Sequence, residues 1–227
     1  MPLLRAVVFD FDGIVLDSET PEYESHRRIY ERCGASLTVE EWCDAVGVWN
    51  EHHPELRFAA LRERSPRAPD RDAYHAERHR IFDELIPAAP MRGIHDLLVA
   101  LDAEGIPAAI ASTSPAGWVR PSVERIGLGA MFRVIVTGDE VARRKPAPDV
   151  YVEAARRLGV EPADAAAIED SSPGVAAARA AGMRVVAIPH GLTRRHDLSA
   201  ADLSVAHAGE LTVERLRALM ALDVKYP

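Results

Sequence analysis

The sequence predicts an α/β fold: a Rossmann-like parallel sheet flanked by helices, with a helical domain inserted after the first strand. Three observations carry that prediction. Short apolar runs alternate with helical stretches that stop at glycine. One long interval near the N-terminus breaks this alternation and holds only helical patterns. Two of the apolar runs end in acidic pairs, as expected where open α/β sheets bind ligands beyond their strand ends.

The first strand spans residues 5–9, within RAVVFDFDGIVLDSE. The start MPLLRAVVF is apolar but runs straight into aspartates without a cleavage pattern, so it reads as strand one rather than as a signal peptide. The stretches 19–34, 38–47, 54–65 and 70–86 then look helical, with breaks at Gly34, Gly47 and the SPRAPD segment. Together they predict an inserted domain over residues 17–89, returning through PAAPMRG, where Pro87 and Pro90 mark breaks. The core is then residues 1–16 and 90–227. Its further strands fall at 107–111, 132–136, 165–168 and 184–188, each short and apolar enough to be buried on both faces. Helices at 94–104, 118–126, 149–158 and 174–181 stop at Gly105, Gly127, Gly159 and Gly182. A weaker strand at 202–205 and a last helix at 212–222 complete the set.

The hydrophobic content of 48% over 227 residues supports a sizeable core. A formal charge of -8, from 27 Lys and Arg against 35 Asp and Glu, argues against nucleic acid as a partner. No run of 18 apolar residues is present, which argues against a membrane span. Cys33 and Cys43 have neither zinc-ligand spacing nor the look of a disulfide framework, and a reducing cytoplasm fits them. Nothing marks an oligomer interface, so a monomer or weak dimer is expected.

Four elements carry the chemistry. Asp10 and Asp12 follow the first strand and project to one side if the extended conformation persists, with Gly13 allowing a sharp departure. Acidic residues after strands also cap helices, which is the plainer reading. Glu169 and Asp170 end another strand at the same predicted sheet edge. Two acidic clusters side by side call for a cation, and hard oxygen donors without a Cys/His set point to Mg²⁺. Ser112, Thr113 and Ser114 lead from a strand into a helix, where hydroxyls and free N–H groups either bind an anion or simply cap. Lys145 precedes a proline-stiffened helix entry that could aim it inward, whereas Arg143 and Arg144 read as surface residues. This set suits phosphoryl transfer, in which positioning and charge stabilisation do most of the catalysis.

At these residues the sequence resembles the haloacid dehalogenase superfamily, subfamily IA, in its phosphatase and β-phosphoglucomutase-like branch, over nearly the whole chain. DFDGIVLDSE resembles the first motif, Ser112 in IASTS the second, Lys145 in KPAPDVY the third and EDSSPGVAAARAAGM the fourth. The resemblance implies a C1-type helical cap after strand one and an aspartyl-phosphate intermediate on Asp10. It implies Asp12 as acid and then base, and Mg²⁺ held by Asp10, the Asp12 carbonyl and Asp170, with Glu169 in the inner or second shell. Ser112 and the Thr113 amide would bind the transferring phosphoryl group, and Lys145 would offset the charge of Asp10 and the phosphate. Asp12 also sets the chain apart from the namesake dehalogenases, which lack that second acid. Hydrolysis of a small phosphorylated metabolite is the implied activity. The alternatives are a sugar-phosphate mutase and a phosphoacceptor or metal-binding signalling module that does not hydrolyse.

The contrast with β-phosphoglucomutase lies in the cap. Asp17 and Ser18 match that pattern, but Glu22 stands where the mutase has a histidine, and His26 comes one helical turn later. Trp49 and Asn50 stand where it has a serine and an arginine. These departures favour hydrolysis. Glu19, Glu22, Trp49, Asn50, His52 and His53 are the candidate substrate-facing residues, with solvent exposure or packing within the cap as the plainer alternatives. His75 and His79, at i,i+4 spacing, fit an ordinary helix face better than a metal pair. Trp118 is expected to lie beneath the Ser112 loop or touch the cap, and His190 to line the entrance.

Overall fold

The computed structural model describes residues 3–43 and 53–222. Six parallel strands form one sheet: β1 (Ala6–Phe9), β2 (Ala108–Ala111), β3 (Phe132–Val136), β4 (Ala165–Glu169), β5 (Arg184–Ala187) and β6 (Leu203–Ser204). Their order is β3-β2-β1-β4-β5-β6, which makes β1 the strand from which the sheet is wound in both directions. That is the switch point at which parallel sheets open a crevice beyond their strand ends.

The side chains explain the layering. Strands β1, β2, β4 and β5 are buried along their whole length. Phe9, Ile110 and Ile168 face one hydrophobic cluster, where the helices α5 (Ile94–Ala103), α6 (Ala116–Arg125) and α9 (Val213–Met220) pack. Ala109, Ala111, Ala165 and Ala167 face the other, against α7 (Asp149–Leu158) and α8 (Ser172–Ala180). Alanines on that face let Tyr151 and Ala154 of α7 lie close to the strands.

Between β1 and the core helix α5 come four helices and no strand among the described residues: α1 (Glu19–Arg32), α2 (Val39–Cys43), α3 (His53–Arg64) and α4 (Arg71–Leu85). They bury a hydrophobic cluster of their own, built on Tyr30, Trp42, Leu61, Tyr74 and Ile81. One core residue, Leu192, joins it, and the Cys43 thiol donates to the Leu192 carbonyl at 2.8 Å. Cys33 and Cys43 are both buried free thiols. No described helix is long and apolar enough to cross a membrane.

Two local expectations change. The extended conformation of β1 does not persist to Asp12, because the chain turns after Phe9 and Asp12 instead forms a bridge with Leu16. Helix α8 begins at Ser172 rather than Gly174, since Ser171 caps it by accepting from the Gly174 N–H. Trp49, Asn50 and His52 lie outside the described residues.

Candidate active site

Strand pairing brings the acidic residues together. Phe9 sits in register with Ile168 on one side and Ile110 on the other. The next residues along each strand therefore meet at one edge, and the Asp10 N–H donates to the Ile168 carbonyl at 2.9 Å. The carboxylates of Asp10, Glu169 and Asp170 lie close enough to share one ion, with ligand oxygens within 4.8 Å of one another. All three residues are buried. Gly13 makes the arrangement possible. Its φ is +82°, and a Cβ there would stand 2.4 Å from Asp170 Oδ2.

Lys145 enters from the loop before α7. Its ammonium donates to Asp10 Oδ1 at 2.7 Å and to Glu169 Oε1 at 2.6 Å. Tyr151 Oη also donates to Glu169 Oε1, at 2.6 Å. The second oxygen of Glu169 accepts from the backbone N–H groups of Asp170 and Ser171 and from the Ser171 hydroxyl. Glu169 is thus saturated by protein donors. No hydrogen bond from a described residue reaches Asp10 Oδ2 or Asp170 Oδ1, while Asp170 Oδ2 accepts from Thr193 Oγ1 at 3.2 Å.

The electrostatics follow. Burial, then the charge of Glu169, push Asp10 up to about 7, against the pull of Lys145. Burial and the neighbouring Glu169 and Asp10 charges raise Asp170 well above the usual carboxylate range. Burial alone would lower the Lys145 pKa, but Asp10 and Glu169 outweigh it, and the ammonium is held above its ordinary value. One ammonium among three buried carboxylates leaves excess negative charge. The oxygens of Asp10 and Asp170 without protein donors are hard ligands of the kind Mg²⁺ takes, so the donor set fits a divalent cation.

Asp12 has a different environment. It is half-buried, and four donors converge on it. Oδ1 accepts from Ser18 Oγ at 2.6 Å and from Trp118 Nε1 at 2.9 Å. Oδ2 accepts from Ser114 Oγ at 2.7 Å and from Ser112 Oγ at 3.4 Å. Ser112 in turn accepts from the Ser114 N–H at 3.0 Å, which closes the loop after β2. Thr113 is half-buried on that loop, and its carbonyl lies where a Cβ on Gly138 would collide, 2.1 Å away.

The other candidates resolve as follows. Glu19 is half-buried at the start of α1. Burial, then the charges of Asp12, Glu22, Asp10 and Asp17, push it up to about 8. Glu22 accepts from Arg78 on α4 at 2.8 Å and lies 3.3 Å from His26 Nε2. His190 is buried and pairs with Asp17 at 3.2 Å, just ahead of the inserted helices. His75 pairs with Glu55 at 3.0 Å, and neither it nor His79 joins a described cluster of metal-type ligands. Arg143 is exposed and pairs with Asp149, but Arg144 is half-buried and donates to the Gly138 carbonyl, contrary to the surface reading.

Sequence reasoning missed Tyr151, Thr193, Ser18 and Arg78 as partners of the acidic residues. Tyr151 alone left a usable trace. It lies six residues past Lys145 on the buried face of the amphipathic α7, which packs on β1, β2 and β3.

Fold and site together define an α/β protein of the doubly wound class, with its acidic residues at the switch point of a parallel sheet. The chain belongs to the haloacid dehalogenase-like hydrolase family, whose profile matches residues 7–188. It is 31% identical over 190 residues to the phosphorylated carbohydrates phosphatase of Thermotoga maritima, covering 83% of this chain and 87% of that protein. It is 30% identical over 219 residues to the β-phosphoglucomutase of Bacillus subtilis, covering 94% of each. It also superimposes with a TM-score of 0.72 and 28% identity on a crystal structure of a CbbY variant from Rhodobacter sphaeroides in complex with xylulose 1,5-bisphosphate. That match covers 94% of this chain and 99% of the other. The resemblance read from the four motifs is borne out, and the chain is an enzyme of the phosphatase type.

Proposed function

We propose that this enzyme is a Mg²⁺-dependent phosphatase that hydrolyses a small phosphorylated sugar or polyol through an aspartyl-phosphate on Asp10. The observation that carries the reading is the contrast between its two leading carboxylates. Asp10 is buried, and among the described residues Lys145 on Oδ1 is the one side chain that donates to its carboxylate, which leaves lone pairs on its two oxygens for an ion and for phosphorus. Asp12 is half-buried, and the Ser18 and Ser114 hydroxyls on its two oxygens can turn from donor to acceptor, so its carboxyl can carry a proton and give it up.

Asp10 and Asp170 would hold the ion together with the Asp12 carbonyl, and Glu169, whose oxygens are already taken, would support from outside and anchor Lys145. The ion supplies charge neutralisation at the phosphoryl group. Ser112 and the Thr113 amide would bind phosphoryl oxygens, with Lys145 offsetting negative charge on Asp10. As Asp10 bonds to phosphorus and the ester P–O bond breaks, Asp12 gives its proton to the leaving oxygen. Asp12 then takes a proton from the water that attacks the aspartyl-phosphate, releasing phosphate and restoring the Asp10 carboxylate. The inserted helices would act as a cap over residues 17–89 that excludes bulk water during the first step. A cytoplasmic enzyme, monomeric or weakly dimeric, is the setting this reading expects.

The mutase reading has one observation on its side, the 30% identity with β-phosphoglucomutase. Glu22, however, stands at the mutase histidine position and is engaged by Arg78. A panel of sugar, polyol and nucleoside monophosphates assayed with Mg²⁺ separates the two. Phosphate release without interconversion of sugar 1- and 6-phosphates supports the phosphatase. Bisphosphate-stimulated interconversion supports the mutase.

A further inference from the structure

Trp118 lies outside the four motifs, yet its indole reaches the proposed acid. Nε1 donates to Asp12 Oδ1 at 2.9 Å. Its ring meets Phe82 of α4 edge-on at 5.4 Å between centroids, and Phe11 at 6.4 Å. A core side chain thus touches both the acid and the inserted helices. We infer that Trp118 is a positioning residue that fixes which oxygen of Asp12 serves the leaving group, and that Phe82 holds the indole in place for that task. The inference rests on the phosphatase reading above.

The chemistry of the donors carries it. Ser18, Ser112 and Ser114 have hydroxyls that can turn from donor to acceptor. An indole N–H can only donate. While Trp118 is in place, Oδ1 of Asp12 must remain an acceptor and cannot present a proton in that direction. The carbonyl oxygen of a carboxylic acid accepts better than its hydroxyl oxygen, so the fixed indole donor on Oδ1 favours the proton on Oδ2, where both donors, Ser112 and Ser114, are hydroxyls that can turn to accept it, whereas on Oδ1 only Ser18 can. Oδ2 is thereby aimed at the loop that would bind the phosphoryl group. Phe82 comes from the last inserted helix, so the seat of the insertion and the orientation of the acid are mechanically linked.

The test compares two esters with leaving groups of different basicity, p-nitrophenyl phosphate and benzyl phosphate. Trp118→Phe keeps an aromatic ring and removes the N–H. Benzyl phosphate expels a basic alkoxide and needs a well-aimed acid, whereas p-nitrophenolate leaves without much help. A general acid is worth on the order of a hundredfold or more, so losing its alignment should lower kcat/KM for benzyl phosphate about tenfold, with less than about twofold loss for p-nitrophenyl phosphate, because kcat/KM reads the phosphoryl-transfer step and not the hydrolysis of the aspartyl-phosphate that the two esters share. Phe82→Ala should give the same pattern more weakly. Equal losses on both esters, or no loss on either, overturn the inference. Wild-type protein that hydrolyses neither ester contradicts the phosphatase reading instead. Independently of turnover and of how W118F folds, the indole N–H proton resonance of Trp118 should move upfield in Asp12→Ala. A resonance that stays in place overturns the assignment as well.

Discussion

Asp10 and Asp12 stand two residues apart and experience opposite surroundings. Asp10 is buried with a single ammonium partner, and Asp12 is half-buried among hydroxyls and an indole. The turn that follows them depends on Gly13. In Gly13→Ala the left-handed backbone alone should cost about 1 kcal/mol, and the new Cβ would press on Asp170 Oδ2. Weakened Mg²⁺ binding by isothermal titration is the expected readout, and wild-type affinity would count against this role. Tyr151→Phe removes a donor from the buried Glu169 carboxylate and should cost about 1–3 kcal/mol in urea denaturation. The acidic residues, Ser112 and Lys145 were legible in the sequence because each follows a strand or precedes a helix entry with recognisable punctuation. The Trp118 contact was legible only as a choice between two places. Its partner Asp12 is 106 residues away, and which face of α6 looks at the sheet edge is a matter of packing.

At the level of elements, the strands and most helices follow from apolar runs and glycine stops, and the observed ends differ by a few residues where caps intervene. Asp70 caps α4 by accepting from the Ala73 N–H, and Asp70→Ala should destabilise the protein by about 1 kcal/mol. The pairing of α1 with α4 was not legible, because it rests on polar pairs taken partly or wholly out of water: half-buried Glu22 with Arg78, and buried His26 Nδ1 with the Tyr74 hydroxyl. Burial holds the His26 pKa below its ordinary value, with Glu22 opposing. Below the unfolded value of about 6.5, the unfolded chain takes up a proton that the folded chain refuses. The contribution of His26 to stability should therefore fall as pH drops from that value toward the depressed folded pKa and level off beneath it, against the opposite trend from the raised carboxyls of Asp10 and Glu19. The contribution is at most about 1.4 kcal/mol per pH unit. Denaturation curves between pH 7.5 and 5 should show the stability of His26→Gln rising relative to wild type as the pH falls. A difference that stays constant with pH would mean that His26 makes no such contribution.

Across the whole molecule, two sides of one sheet and a separate helical cluster meet around the ends of β1 and β4. This architecture was readable because parallel strands buried on both faces leave a strong rhythm and the insertion interrupts it. How the insertion rests on the core was not readable, since the contacts at Leu192 and Trp118 join residues far apart in the chain. An ion that binds only the folded enzyme stabilises it by mass action, so saturating Mg²⁺ should raise Tm in wild type and by much less in Asp170→Asn. The most direct test of the account is phosphate release from a phosphomonoester panel, with and without Mg²⁺, by wild type and Asp10→Asn. The account predicts Mg²⁺-dependent turnover by wild type and a loss on the order of a thousandfold or more in folded Asp10→Asn. Folded wild type without turnover on any ester, or Asp10→Asn that keeps most of the activity, would contradict it.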